Sequence, residues 1–215
     1  MEGMEEGLRK AASVLVARDG ADGLEVVVLE RGGASRFLPG YVAFPGGSVD
    51  EEDAELAERW FGTSQEGARA CAVRELLEEV GLAFTAEGLR ESADRTLEAI
   101  SSPPTPDQLP EVAHWIAPLQ VPVRFDARYF GLEAPAGLRL VPDGDETAAA
   151  WWASPFELLD AWRTGRRKLY WPTYFTVQAI APCERVADLL ALRIDTREPD
   201  TDEVERLPRS TFWQD

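Results

Sequence analysis

The chain has 215 residues, 45% of them hydrophobic, enough to bury a substantial core in one domain or one elaborated domain. Its 22 basic and 39 acidic side chains give a net charge of −17, which opposes binding to polyanionic nucleic acid or to an acidic membrane surface. Two distant cysteines, Cys71 and Cys183, indicate neither a zinc site nor a disulfide framework, and no apolar leader or membrane-length apolar run is found, so a cytoplasmic protein is expected.

Ser13 to Arg18 and Leu24 to Glu30 are valine-rich runs on either side of a turn-forming Asp19-Gly20-Ala21-Asp22-Gly23, which predicts a β-hairpin. Gly32 to Gly40 reads as a loop, Tyr41 to Phe44 as a third strand, and Ser48 to Gly62 as an acidic segment with a helical stretch around Ala54 to Phe61. A second helix starts near Thr63, where Thr63 and Glu66 have capping-box spacing, and stops at Gly81. Residues 83–108 read as irregular or partly helical, a length that wraps a site or meets a second subunit, so a homodimer is one expectation. Strands are expected at Ala113 to Pro118, Val123 to Gly131 and Leu138 to Val141. Helices are expected at Phe156 to Thr164 and, after Pro172, to about Leu192. Residues 195–215 read as a charged tail or an arm packing through Phe212 and Trp213, and 1–10 as an extension to a domain over 11–194.

The most informative stretch lies within the helix ending at Gly81. Glu75, Glu78 and Glu79 sit at i, i+3 and i+4, hence on one face, while Val73, Leu76, Leu77 and Val80 occupy the other. Like charges at this spacing destabilise a helix, so solvent, bases or a bound cation must compensate. Hard oxygen donors so placed suit Mg²⁺ or Mn²⁺; a solvated acidic face is the alternative.

With its flanks, the segment Glu66-x7-Arg74-Glu75-Leu76-x-Glu78-Glu79-x-Gly81-Leu82 resembles the signature of Nudix hydrolases, G-x5-E-x7-R-E-U-x-E-E-x-G-U with U apolar, and Phe44-Pro45-Gly46-Gly47 resembles the family's entry to it. The spacing departs from the pattern, because the eighteen residues 48–65 separate Gly47 from Glu66 where the pattern has five. That insertion, with Arg36-Phe37-Leu38-Pro39-Gly40, Ala113-His114-Trp115-Ile116 and Arg124-Phe125-Asp126-x-Arg128-Tyr129-Phe130, is similar to the branch containing the mammalian peroxisomal acyl-coenzyme A diphosphatase. The chain ends unlike a peroxisomal address, so that relative's compartment is not carried over.

The resemblance implies an α/β/α sandwich with a central mixed sheet and metal-dependent hydrolysis of a diphosphate linkage in a small nucleotide-derived substrate. Coenzyme A or an acyl-coenzyme A is the first expectation; the alternatives are an ADP-ribose or dinucleotide diphosphatase and a catalytically silent ligand sensor. It further implies that Glu78 and Glu79 ligate Mg²⁺ or Mn²⁺, that Glu75 is a ligand or orients water, that Gly46 offers its carbonyl, and that Glu146 adds a catalytic carboxylate from outside the signature. Arg74 is expected to hold Glu66 or a neighbouring carboxylate in register. Arg36, Arg124 and Arg128 are candidates for phosphate contacts, with plain surface arginines as the alternative. His114 and Cys71 are expected in packing or hydrogen-bonding roles, and Trp115, Phe125, Tyr129 and Trp151 in the core rather than against an adenine ring.

Overall fold

The computed structural model describes residues 8–35, 37–119, 123–197, 199, 207, 208 and 211. The expected hairpin is present as β1 (Leu8–Gly20) and β2 (Gly23–Arg31), paired antiparallel with Gly20 opposite Gly23 across a two-residue turn. Val14 to Ala17 are buried without a break, as are Val26 to Leu29, which is the signature of a sheet covered on both faces. Period-two alternation then divides them. Leu15, Ala17, Val26 and Val28 join one core, and Val14, Val16 and Val27 join the other.

The other strands of this sheet are β3 (Tyr41–Ala43), β4 (Gly46–Ser48), β7 (Glu111–Ile116), β8 (Arg124–Glu133), β9 (Thr147–Ala153), β10 (Lys168–Leu169) and β11 (Ile194–Arg197). Among the described residues they form a mixed sheet in the order β10-β3-β2-β1-β8-β7-β11, with β4 also on β1 and β9 also on β2. β1 is its hub: it pairs parallel with β8 along Leu8 to Ala17 and antiparallel with β4 at Ala11 to Ser13. Helix α2 (Gly67–Val80) buries Leu76, Leu77 and Val80 in the core on one face, against Val14, Val16 and Phe130. Helices α3 (Pro155–Arg163), α4 (Trp171–Ile180) and α5 (Val186–Ala191) contribute to the core on the other. The expected α/β/α arrangement with a mixed sheet is therefore present, and α1 (Glu51–Phe61) adds a small satellite cluster through Leu56, Ala57 and Ala70.

Several local expectations are corrected. Thr63 does cap a short 3-10 turn, accepting from the Gln65 amide at 3.3 Å, but the Glu66 side chain turns to Arg69 at 2.8 Å instead of closing a capping box. Residues 83–108 contain a hairpin, β5 (Leu82–Thr85) with β6 (Gly88–Glu91), hidden from pattern reading because each strand has only four residues. Leu138 to Val141 form no strand; the strand of this region is β9, which pairs with β2 from Thr147 onward. The helix expected from Pro172 to Leu192 is two, broken around Pro182, which lacks the amide a helix interior requires. Ile194–Arg197 is a strand along β7 rather than tail, and at residue 211 the Thr211 hydroxyl accepts from the Trp162 indole at 3.3 Å. Phe212 and Trp213 lie outside the described residues.

Candidate active site

Two glycines bring β4 against the acidic face of α2. A Cβ on Gly46 would stand 2.2 Å from the Ala12 carbonyl oxygen and 2.7 Å from the Ser13 Cα, and one on Gly47 would stand 2.2 Å from Glu75 Oε1. Without side chains at these positions, the Gly46 amide donates to Glu79 Oε2 at 2.8 Å. At its far end α2 stops at Gly81 in the left-handed conformation (φ 70°), and Arg95 donates to the terminal carbonyls of Leu77 (3.0 Å) and Glu78 (2.7 Å).

The three carboxylates of the helix occupy different environments. Glu79 is 4% exposed, and burial, followed by the nearby Glu75 charge, pushes its carboxyl up to about 8 against the opposing Gly46 amide. Burial also raises Glu75, with the Arg74 guanidinium opposing the shift. Glu78 has a 42% exposed side chain.

Arg74 gathers these groups. Its Nη1 donates to Glu75 Oε1 at 2.9 Å and Glu78 Oε2 at 2.8 Å, while Nε and Nη2 grip Asp53 at 2.8 and 3.0 Å. The expectation that Arg74 holds signature carboxylates agrees with this geometry, whereas a bond to Glu66 does not. Asp53, fully buried in α1, is a site residue that sequence reading missed. Its available signal was spacing: counted five residues on from Gly47, Asp53 stands where the G-x5-E pattern puts an acid, with the longer gap then falling between it and Arg74. Cys71 is buried beside this cluster and donates to the Ser48 carbonyl at 3.3 Å, in line with a hydrogen-bonding filler. With Arg74 drawing Glu75 and Glu78 toward itself, no three acid, histidine or cysteine side chains among the described residues converge as a ready cation cage.

A cavity of about 530 Å³ is lined by Glu75, Glu79 and Glu146 together with Phe37, Phe125 and Tyr170. Glu146 is exposed at its rim. The loop carrying it approaches β2 closely: the Gly32 amide donates to the Glu146 carbonyl at 2.7 Å, and a Cβ on Gly32 would stand 2.4 Å from the Asp145 carbonyl oxygen. Asp143, on the same loop, has its Oδ1 committed to the Asp145 and Thr147 amides at 2.8 and 2.9 Å.

The arginines are redistributed. On β8, Phe125, Ala127 and Tyr129 line the cavity, so alternation sends Arg124 and Arg128 to the opposite face. There Arg124 donates to the Ala117 carbonyl at 3.2 Å and Arg128 pairs with Glu111 at 3.2 Å, so neither faces the cavity as a phosphate contact. Arg36 lies outside the described residues. Among the described residues, the arginines that line the cavity are Arg9 and Arg31, both missed in the sequence. Arg31 is fixed by the Ser35 hydroxyl (3.0 and 2.8 Å) and the Phe37 carbonyl (2.8 Å), and its charge partly offsets the rise in Glu79. Its signal was its place at the end of a buried strand, directly before Gly32-Gly33. His114 bonds Asp126 and Trp115 is buried in the core, the roles expected of them, while Tyr129 is buried but also lines the cavity. Phe125 differs: it is half-buried on the cavity wall, with its ring centroid 5.1 Å from that of Phe37.

Comparison with known proteins gives a consistent result. A family model described as the NUDIX domain matches residues 7–171. A Caenorhabditis elegans protein named "Putative nudix hydrolase 7" is 28% identical over 195 residues, covering 80% of this chain, and this chain spans 60% of the length of that relative. The crystal structure of a NUDIX hydrolase from Alicyclobacillus acidocaldarius is 28% identical and superposes with a TM-score of 0.70 over 87% of this chain and 97% of its own.

Proposed function

This chain belongs to the Nudix family, and from that premise we propose that it hydrolyses the diphosphate linkage of a nucleoside diphosphate derivative with Mg²⁺ or Mn²⁺. The observation that carries the reading is the juxtaposition of Glu79 and Glu75 at the cavity, beside the Gly46-Gly47 strand. Two carboxyls desolvated side by side are costly as anions unless a cation neutralises them. No histidine, cysteine or methionine is among the described residues lining the cavity, so the donor set is hard oxygen and fits Mg²⁺ or Mn²⁺. Glu75, Glu78, Glu79 and the Gly46 carbonyl are the residues that would hold it. When bound, the cation supplies charge neutralisation of the diphosphate and a lower pKa for an attacking water.

The chain's own groups account for the rest. Arg31 and Arg9 offer guanidinium forks to diphosphate oxygens, a local attraction needed to overcome the net charge of −17. Glu146 accepts the proton of the attacking water from the rim, and Arg74 keeps Glu75 and Glu78 in orientation. The preferred substrate is coenzyme A or an acyl-coenzyme A, cut to a phosphopantetheine-bearing piece and adenosine 3′,5′-bisphosphate. Support for that choice is the motif resemblance outside the signature. An ADP-ribose or dinucleotide diphosphatase is the competing reading.

The test is incubation of the purified protein with coenzyme A, ADP-ribose, NADH and dinucleoside polyphosphates, with Mn²⁺ or with chelator, and identification of the product pairs. Cation-dependent release of adenosine 3′,5′-bisphosphate supports the proposal. Turnover of ADP-ribose alone would overturn the substrate, and no turnover of any diphosphate would overturn the reaction.

A further inference from the structure

We propose that Asp143 is a positioning residue: it locks residues 143–147 into one closed turn, so that Glu146 stands at the cavity in a fixed orientation before any substrate arrives. The inference rests on the reading of Glu146 as proton acceptor given above.

Asp143 commits one oxygen to two amides. Its Oδ1 accepts from the Asp145 N–H at 2.8 Å and from the Thr147 N–H at 2.9 Å, while the amide of Gly144, a residue with φ of 88°, closes the turn on the Thr147 carbonyl at 3.2 Å. The Thr147 N–H and the Glu146 carbonyl belong to the same planar peptide unit. Asp143 grips that unit at its donor end, and the Gly32 amide grips it at its acceptor end at 2.7 Å. Held from both ends, the plane resists rotation about its flanking bonds, which fixes the backbone from which the Glu146 side chain projects. The two amides differ in what they do without Asp143. Asp145 is exposed, so its amide turns to water; Thr147 is fully buried, so its amide cannot be left unpaired and the turn must rearrange to satisfy it. That rearrangement moves the adjacent Glu146.

The turn is also tied to the helix that carries the other acids. The Val141 amide donates to the Val80 carbonyl at 3.0 Å and the Asp143 amide to the Glu79 carbonyl at 3.2 Å. Arg95, which bonds the Leu77 and Glu78 carbonyls, bonds that of Val141 as well. On the other side, a Cβ on Gly32 would meet the Asp145 carbonyl oxygen at 2.4 Å, so β2 lies directly against the loop. Glu146 is thereby placed by the backbones of α2 and β2, the elements that carry Glu79 and Arg31. The role of Asp143 is hydrogen bonding and not charge: asparagine keeps an Oδ1 acceptor for both amides, and alanine keeps none.

The experiment makes Asp143→Ala and Asp143→Asn in the full chain, each alone and combined with Glu146→Gln. Steady-state kinetics are measured on a diphosphate that the wild type cleaves, and NMR follows the coupling across the hydrogen bond between the Thr147 amide nitrogen and the Asp143 carboxylate carbon. Asp143→Ala should lower kcat at least ~tenfold with KM within about twofold, and Asp143→Asn should restore kcat to within about threefold of wild type. With Glu146→Gln already present, Asp143→Ala should cost less than about twofold more, because the group it positions is gone. The full loss repeated in the Glu146→Gln background, wild-type kcat in Asp143→Ala, or asparagine as damaging as alanine would overturn the proposal. If Glu146→Gln alone keeps wild-type kcat, the reading of Glu146 fails, while the NMR coupling still decides whether Asp143 fixes the turn. If Asp143→Ala does not fold, the coupling should be present in the wild type, and its absence there would overturn the proposal.

Discussion

Glu79→Gln, measured without divalent cations across pH, isolates the electrostatics on which the proposed cation site depends. In the folded chain burial and then Glu75 raise the Glu79 carboxyl from 4.5 to about 8, while in the unfolded chain it titrates at its ordinary value. The folded state therefore binds this proton more tightly. Its stabilising effect is fully present below about pH 4.5 and is lost as pH rises through about 8. One such group gives a slope of at most ~1.4 kcal/mol per pH unit, or about 2–3 kcal/mol between roughly pH 5.5 and 7.5. For a chain of this size that is a fall of about 5–10 °C in Tm. The glutamine variant does not titrate, so its curve should be flatter by that amount. Its whole curve is also expected to shift, because a carboxamide replaces a carboxyl in a buried site, and so slope rather than height is the readout. Excess Mn²⁺ should reverse the wild-type slope, since a cation displaces the proton most easily at high pH, and should leave the variant nearly unmoved. Scanning fluorimetry of both proteins with chelator and with Mn²⁺ decides the matter. Parallel curves in chelator, or equal Mn²⁺ shifts, would refute the reasoning.

Gly47→Ala places a Cβ 2.2 Å from Glu75 Oε1, the mobile end of a side chain, so the variant should fold with Tm within a few degrees of wild type and lose at least ~10²-fold in kcat; retained activity would show that Glu75 orientation is not needed. Arg31→Ala should lower kcat/KM roughly ten- to a hundredfold, the usual consequence of losing a charge-assisted phosphate contact, while Arg124→Ala and Arg128→Ala stay within about twofold. The reverse ranking in kcat/KM would restore the arginines of β8 to the substrate. Glu146→Gln should cut kcat sharply, leave substrate Kd nearly unchanged and remove the acidic limb of the kcat–pH profile; an intact acidic limb would assign the proton acceptor to another group.

What was legible in the sequence is what depends on local order along one element. The hairpin, α2 with its apolar stripe, its acids and its stop at Gly81, and the placement of Glu146 at a turn all follow from spacing within a few residues of each other. Failures occurred where geometry is set by partners far apart in the chain. Asp53 meets Arg74 across 21 residues; it stands at G-x5 spacing from Gly47, but the E-x7-R spacing of Glu66 drew the reading to the wrong acid, and only the packing of α1 on α2 shows which one Arg74 holds. The arginines show the same limit in a sharper form. Alternation along β8 was readable, and it puts Arg124, Asp126 and Arg128 on one face and Phe125, Ala127 and Tyr129 on the other. Which face meets the cavity depends on the parallel register of β8 with β1, where Ser13 lies opposite Tyr129. That register also puts Arg9 and Ser13 of β1 on the cavity side, so one strand pairing removes two candidate arginines and supplies another. A motif names which acids can act, but which arginines line the cavity is decided by which face of the sheet each strand turns toward it.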